Sequence, residues 1–171
     1  MGVLPIYKRS LFCSPNRADG LGLTMTYENG LVQCRVLVDN RFEGYEDVIH
    51  GGILTGILDT MIWYSILLDG RRICMTRNID IDFFKPVLCN RPYGAKSRFL
   101  GVEGKDVHAE GWIEDENGEV CTRLTGMFRE AKDVPLSTIV NRFDFSRAAP
   151  EIKDYLFALV EEQERRADKG L

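Results

Sequence analysis

The sequence has few of the groups on which common catalytic centres depend. Its 171 residues include only two histidines, His50 and His108, which argues against catalytic schemes that need several. The phosphate-binding patterns GxxxxGK(S/T) and GxGxxG are absent, as is the serine nucleophile elbow. The five cysteines have neither the CxxC spacing of a zinc site nor the density of a disulfide scaffold. We therefore expect no metal site, and free thiols in a reducing compartment.

The chain also lacks an excess of positive charge and a recognisable leader. Its net charge of -4 gives no electrostatic case for nucleic-acid binding. The N-terminal stretch MGVLPIYKRSLF lacks the continuous apolar segment and small-residue cleavage site of a signal peptide. We expect a cytoplasmic protein with no nucleic-acid partner.

The longest apolar run extends from His50 to Leu68 and holds a single charge, Asp59. Strands seldom exceed about ten residues, so a run of this length predicts a helix. The run is barely long enough to span a membrane, and it contains three glycines as well as Asp59. We therefore expect the buried central helix of a soluble protein and no membrane partner.

Strand-like segments lie on both sides of this helix. Two precede it and meet at Asn29-Gly30, a strong hairpin signal, and four follow it with short connections: 21–27, 31–38, 73–84, 93–101, 107–114 and 120–129. In the first segment after the helix, Ile79, Ile81 and Phe83 alternate with two aspartates, which predicts that the apolar side chains face the helix. The order predicts an α+β fold, with an antiparallel sheet of about six strands wrapped around one long helix.

The two ends of the chain differ from this core. Residues 1–20 are irregular, and we expect a loop or short helix that lies over the body. After residue 130, Pro150 opens a helical pattern of apolar residues. We predict one domain over residues 1–130 and a C-terminal helical extension over 131–171, which packs on its own body or on a second copy. Its charged last turns, 161–169, are expected to extend into solvent.

Asp59 shares one face of the predicted helix with small residues on its N-terminal side. A step of about 100° per residue puts Gly52, Thr55 and Gly56 on this face. Helical side chains lean towards the N-terminus, so the carboxylate would overlook a shallow trough in which a ligand could lie. The alternative is that Asp59 marks the one solvated stripe of a mostly buried helix, and spacing alone does not decide between the two.

Gly51 and Gly52 open the helix. Unpaired N–H groups and the positive end of the helix dipole point outwards there, and a glycine lets an oxygen approach closely, as in an oxyanion site. The alternative is a tight loop that needs positive φ. Gly51 and Asp59 are roughly 12 Å apart at about 1.5 Å per residue, too far to act on one carbonyl carbon. If both are catalytic, a second copy of the helix must run antiparallel beside the first in a two-fold dimer.

A combination of residues now resembles a known family. It consists of His50-Gly51-Gly52, Asp59 after six intervening residues, Thr76, and Asp82-Phe83-Phe84-Lys85-Pro86. Over about residues 16–129 the chain resembles the hotdog-fold acyl-CoA thioesterases of the phenylacetate-pathway (PaaI-like) group. The resemblance implies a hotdog fold, active sites between subunits, and a homodimer or a homotetramer built as a dimer of dimers.

The resemblance also implies roles for individual residues. Gly51 would polarise the thioester carbonyl through its N–H, and Asp59 would attack the carbonyl or activate a water molecule. Thr76 matches a position where a hydroxyl often holds that water, and His50 matches a histidine that is mainly structural or hydrogen-bonding. No cofactor is implied, because coenzyme A is part of the acyl-CoA substrate.

Substrate contacts are expected from the helix face and from basic groups near the mouth. The candidate substrate-binding residues are Gly52, Thr55, Gly56, Trp63, Arg77 and Lys85. Arg77 and Lys85, together with Arg91 and Arg98, are candidates for contacts with the phosphates of coenzyme A. Trp63 could line the acyl pocket or fill the core, as could Tyr64, Phe83 and Phe84.

One position departs from the family pattern. Many relatives carry an asparagine six residues before the histidine, where it helps to place the nucleophile, and this chain has Gly44. The first hypothesis is hydrolysis of an acyl-CoA thioester. The second is a protein that binds acyl-CoA or another acyl ligand without turning it over, as a sensor or carrier. A hotdog dehydratase is a third, disfavoured because His50 has no acidic partner of the expected pattern.

Overall fold

A seven-stranded antiparallel sheet forms the body of the protein in a computed structural model that describes residues 2–168. Its strands, in chain order, are β1 (Gly2–Val3), β3 (Met25–Glu28), β4 (Leu31–Val36), β7 (Cys74–Phe83), β8 (Tyr93–Glu103), β9 (Asp106–Glu114) and β10 (Val120–Glu130). In space the order is β1-β3-β4-β8-β9-β10-β7, so that β7 is an edge strand. The remaining strands form two small pairs, β2 (Ile6–Tyr7) with β11 (Phe143–Asp144) and β5 (Glu43–Tyr45) with β6 (Val48–Ile49). The α+β prediction is confirmed. The sheet has one strand more than the six that were predicted, and this strand is β1, which is too short to show alternation.

The apolar run forms the helix α1 (Gly51–Asp69), as predicted. The sheet wraps around it, and α1 packs against β4, β7, β8, β9 and β10. The helix ends at Asp69 and is capped by Gly70, where a Cβ atom would lie 2.6 Å from the Ile66 carbonyl oxygen. The left-handed residue that turns the chain is the next one, Arg71, with φ of 55°. By length and composition α1 could also cross a membrane, and just over half of it is buried within the protein.

The hairpin turn predicted at Asn29-Gly30 is present, and the connection between β9 and β10 is a turn of a second geometry. At the first, Asn29 and Gly30 both have positive φ, 52° and 77°, as a type I′ turn requires. Between β9 and β10 only Gly118 has positive φ, and an Asp115 carboxylate oxygen accepts hydrogen bonds from the N–H groups of Asn117 and Glu119. The aspartate side chain therefore stabilises this second loop.

A β-bulge in the edge strand β7 changes which side chains face the helix. Thr76 pairs with Phe128 and Asn78 with Met127, so Arg77 is the extra residue. Because a slip of one residue reverses the face of every side chain beyond it, Thr76 lies on the helix side together with Ile79 and Ile81. The expected inward packing of Ile79 and Ile81 is confirmed, since both are half-buried against the core.

The N-terminal lead-in is more regular than predicted. It contributes β1 to the main sheet and β2 to a pair with β11, and it buries Leu4 and Cys13. The Tyr64 hydroxyl donates a hydrogen bond of 2.8 Å to the Pro5 carbonyl oxygen, which ties the lead-in to α1. Two-residue strands leave no pattern in a sequence, which is why a loop or short helix was expected there.

The C-terminal extension contains the short helix α2 (Leu136–Val140), the strand β11 and the helix α3 (Pro150–Asp168). The predicted helix begins at Pro150 and buries Ile152, Leu156 and Leu159 against the body. Its charged end is held more closely than expected, because Gln163 accepts a hydrogen bond of 2.9 Å from the Leu136 N–H. Lys169 lies outside the described residues. The division at residue 130 stays a prediction.

Candidate active site

Asp59 is a half-buried carboxylate on α1 with one hydrogen-bond donor. The Thr76 hydroxyl, on the edge strand β7, donates to Asp59 Oδ1 over 2.8 Å. Within residues 2–168 the other oxygen, Oδ2, has no hydrogen-bond partner. The structure therefore brings together two predicted site residues and leaves one carboxylate oxygen able to accept a proton.

Two features of its surroundings shift the pKa of Asp59 in opposite directions. Burial raises the pKa of the Asp59 carboxyl above its usual range, and the hydrogen bond from Thr76 opposes this by lowering it. Within residues 2–168, no positive side chain contributes to the pKa of Asp59. A carboxylate that is more basic than usual is a better acceptor for a proton from water.

The first turn of α1 presents a free backbone donor. His50 Nδ1 accepts a hydrogen bond of 2.8 Å from the Gly52 N–H, so this side chain caps the helix. In the described part of the chain, the N–H of Gly51 has no acceptor. The Phe83 ring stands against Gly51, with its Cζ atom 3.0 Å from where a Cβ would be. The Gly51 N–H is thus available to an oxygen beside an aromatic ring.

Gly44 packs directly on His50. A Cβ atom at position 44 would lie 3.1 Å from His50 Cα and 3.2 Å from His50 Cδ2. The position at which relatives were expected to carry asparagine therefore has little room for a side chain. His50 occupies that space, and its Nδ1 atom accepts the hydrogen bond that caps the helix.

Two pockets flank the helix, and they have no residue in common. One, of about 550 Å³, lies at the start of α1 and is lined by Gly51, His50, Phe83 and Lys85, among others. The second, of about 340 Å³, contains Asp59. Within one chain the predicted oxyanion donor and the predicted base therefore open into different cavities, as the helical rise requires.

The trough expected on the N-terminal side of Asp59 is filled at Gly56. A Cβ atom there would lie 2.2 Å from Phe12 Cζ, so the ring of Phe12 rests on the bare glycine. The Thr55 hydroxyl donates to the Gly51 carbonyl oxygen over 2.8 Å, which commits it to the helix. Gly52 is exposed beside His50. The substrate contacts expected of these residues stay predictions.

The aromatic candidates divide between core and pocket. Tyr64 and Trp63 both line the Asp59 pocket, but Tyr64 is buried and stacks on Phe143, whereas Trp63 is half-buried. Phe83 and Phe84 are exposed and line the pocket at the helix start. Core packing thus accounts for most of the Tyr64 side chain, and the other three are open to a ligand.

The candidate cations lie in different surroundings. Lys85 lines the pocket at the helix start and forms ion pairs with Glu119 and Asp115. Arg77 pairs with Asp106 at 2.9 Å and lines neither pocket described above. Arg98 pairs with Glu110 on the sheet face away from α1. The structure shows no contact that links Arg91 to either pocket.

Comparison with known proteins was made by sequence and by structure. No family model matches the sequence, and no curated protein matches it. The solved structure of a thioesterase superfamily protein, RHA08564, is similar, with a TM-score of 0.67 and 20% identity. The match covers 72% of this chain and 61% of that protein, so this chain spans less than two thirds of the length of RHA08564. The E. coli PaaI protein from the phenylacetic acid degradation operon is also similar, with a TM-score of 0.58 and 16% identity over 64% of this chain and 83% of PaaI.

A Streptococcus mutans protein solved with acetyl-CoA bound gives a TM-score of 0.56 and 14% identity, over 64% of this chain and 88% of the other. The chain has the hotdog fold. At these identities the likeness extends to the fold alone. The hotdog prediction is confirmed, and α1 is the central helix of that fold.

Sequence reasoning missed the side chains that the ends of the chain bring to the hotdog body. Phe12 from the lead-in covers Gly56, while Tyr7, Arg9 and Ile139 line the Asp59 pocket. No local pattern marks these residues, because their contacts with α1 depend on how distant segments pack. The glycine at position 56 was the one available signal, since it leaves space for a ring.

Proposed function

We propose that this hotdog protein hydrolyses acyl-CoA thioesters at a site shared between two copies of the chain. The observation that carries the proposal is the pair formed by Asp59 and Thr76: a half-buried carboxylate on the wall of a cavity accepts a hydrogen bond from the Thr76 hydroxyl. The second group is the Gly51 N–H at the helix start, which has no acceptor within residues 2–168 and can donate to an oxyanion.

The reaction follows from these groups. Asp59, once ionised, takes a proton from a water molecule as the water oxygen bonds to the thioester carbonyl carbon. The Gly51 N–H of the second copy stabilises the oxyanion that forms. Collapse of this intermediate breaks the C–S bond, the carboxylic acid leaves, and Asp59 returns the proton to the coenzyme A thiolate.

A second copy is needed because the two groups lie in separate cavities of one chain. The edge strand β7 offers a suitable surface, since its backbone edge is unpaired within the described residues and Met75 is 65% exposed. Pairing there around a two-fold axis would bring Gly51 of one copy towards Asp59 of the other.

Similar proteins support a coenzyme A ligand. One of the hotdog neighbours was solved with acetyl-CoA and another, from Streptococcus pneumoniae, with coenzyme A. We place the pantetheine arm in the pocket at the start of α1, where Lys85 lies on the wall, and the acyl group in the Asp59 pocket. The homodimer or homotetramer and the cytoplasmic location stay part of the proposal.

The test is thiol release from short, long and aromatic acyl-CoA esters by the wild-type protein and by Asp59→Asn. We expect Asp59→Asn to lose about 10²-fold or more in kcat. It should melt at the same or a higher temperature, because the raised pKa of Asp59 means that its ionised form destabilises the native state at neutral pH. Retained hydrolysis in a folded Asp59→Asn protein would remove Asp59 from the mechanism.

Binding without hydrolysis is the second candidate, and Gly44 favours it. Position 44 provides no side chain to orient a nucleophile, and His50 fills the space. Tight calorimetric binding of acyl-CoA by the wild-type protein, with no thiol released, would select this function over hydrolysis.

A further inference from the structure

The Asp59 pocket is completed by segments that lie outside the central sheet and helix. Trp63 and Thr60 line it from α1, Tyr7 and Arg9 from the lead-in, and Ile139 from α2. On the N-terminal side of Asp59, the Phe12 ring on Gly56 closes the helix face. An acyl group that extends from Asp59 would therefore point towards Trp63, into the space between the lead-in and the C-terminal extension.

Arg9 is held in place by its backbone. The Ser10 N–H donates to the Tyr7 carbonyl oxygen over 2.9 Å, so Arg9 lies in a turn, and the Ser10 hydroxyl accepts hydrogen bonds from the N–H groups of Phe12 and Cys13. The Arg142 guanidinium donates to the Tyr7 hydroxyl, which fixes the adjoining wall. The turn is thus pre-organised rather than a free loop.

The charge of Arg9 is not used within the protein. Across residues 2–168 its guanidinium forms no ion pair and no hydrogen bond, although Arg17 and Arg41 nearby in the fold pair with Asp19 and Asp39. The one carboxylate on the pocket wall, Asp59, has its pKa set by burial and Thr76, with no contribution from Arg9. Among the described residues, the pocket therefore combines mainly apolar walls with a single unpaired cation.

From this arrangement we propose that Arg9 selects acyl groups that end in a carboxylate, so that the substrates are coenzyme A monothioesters of short dicarboxylic acids. The inference rests on the proposed function and names its substrate class. A terminal carboxylate among Trp63, Tyr7 and Ile139 would be costly without a partner, and a guanidinium can bind it through two parallel hydrogen bonds. The pairing also offsets repulsion between that carboxylate and Asp59.

The test compares two esters of equal chain length, glutaryl-CoA and pentanoyl-CoA, by thiol release. We expect the wild type to have the higher kcat/KM for glutaryl-CoA. The ratio of the two kcat/KM values should fall about tenfold in Arg9→Gln, at the low end for a charged hydrogen bond because Arg9 is exposed to solvent. Arg9→Lys should keep part of the preference, and Lys8→Gln, which changes an exposed charge outside the pocket, should leave the ratio at the wild-type value.

A wild-type preference for pentanoyl-CoA, or an unchanged ratio in Arg9→Gln, would overturn the inference. If neither ester releases thiol, the proposed hydrolysis is wrong, and the role of Arg9 is then tested by calorimetry of the binding of the intact esters. Tighter binding of glutaryl-CoA that Arg9→Gln abolishes would support it, and equal binding of both esters, or no binding of either, would contradict it.

Discussion

At the scale of single residues, the proposed chemistry depends on the proton affinity of Asp59. Burial raises the pKa of its carboxyl and the Thr76 hydroxyl lowers it, so the two effects act in opposite directions. The carboxylate must be ionised to act as a base. Activity should therefore fall as the pH drops through the pKa of Asp59, at a higher pH than an ordinary aspartate would give.

Removal of the Thr76 hydroxyl should shift the acid limb of the pH profile, which is the range in which activity falls as the pH drops. Thr76→Val deletes the hydrogen bond that lowers the pKa of Asp59, so the pKa should rise and the acid limb of kcat/KM should shift to higher pH. The measurement is kcat/KM against pH for the wild type, for Thr76→Val and for the control Thr125→Val, whose side chain is exposed on β10. An acid limb that stays in place, or moves to lower pH, would show that Asp59 is not the titrating base.

At the scale of elements, the lead-in and α1 are fitted to each other at one contact. Gly56→Ala places a Cβ atom 2.2 Å from the present position of Phe12 Cζ, and we expect a loss of about 1–3 kcal/mol in unfolding free energy. In a Phe12→Ala background the clash is gone. Alanine should then stabilise the helix by about 0.5–1 kcal/mol relative to glycine.

Urea unfolding of the wild type, both single variants and the double variant measures this coupling. The change of sign between the two backgrounds is the expected result. If Gly56→Ala has the same effect in both, the ring of Phe12 does not rest on Gly56.

The elements divide into those with local signals and those without. The apolar run predicts α1, and Asn29-Gly30 predicts the first hairpin, because each signal is contained in a few consecutive residues. The meeting of Thr76 with Asp59 is different. Alternation counted back from Ile79 puts Thr76 on the opposite face, and only the bulge at Arg77 returns it to the helix side.

The resemblance to a family identified Thr76 where the strand pattern could not. Likewise, the short strands of the lead-in and the contact of Phe12 with Gly56 depend on packing between distant segments, for which one sequence holds no signal. The central helix was therefore predictable, and the part of the Asp59 pocket wall that comes from the two ends of the chain was not.

At the scale of the whole molecule, the proposed site requires a second chain. The exposed edge of β7 carries Met75 and Phe83, which are 65% and 51% exposed. Lysine on an edge strand opposes edge-to-edge pairing, so Met75→Lys should give a monomer that has lost thiol release. Leu100→Lys, a change at another exposed apolar residue, should keep both the assembly and the activity. Sedimentation velocity and a thiol assay on the same samples check the prediction, and an active monomer would contradict it.

The central claim is that Gly51 and Asp59 act on one substrate from two chains, and complementation tests it most directly. Gly51→Pro removes the N–H at the first helical position, after a residue, His50, whose ψ of 132° suits a following proline, and the control Gly51→Ala keeps the N–H while it places the same Cβ atom against the Phe83 ring. Neither Gly51→Pro nor Asp59→Asn should hydrolyse acyl-CoA alone. Unfolded together in equal amounts and refolded, they should regain about one quarter of wild-type activity, because about half of the dimers are mixed and each has one complete site of two. Activity that stays at the level of the separate variants would contradict a shared site.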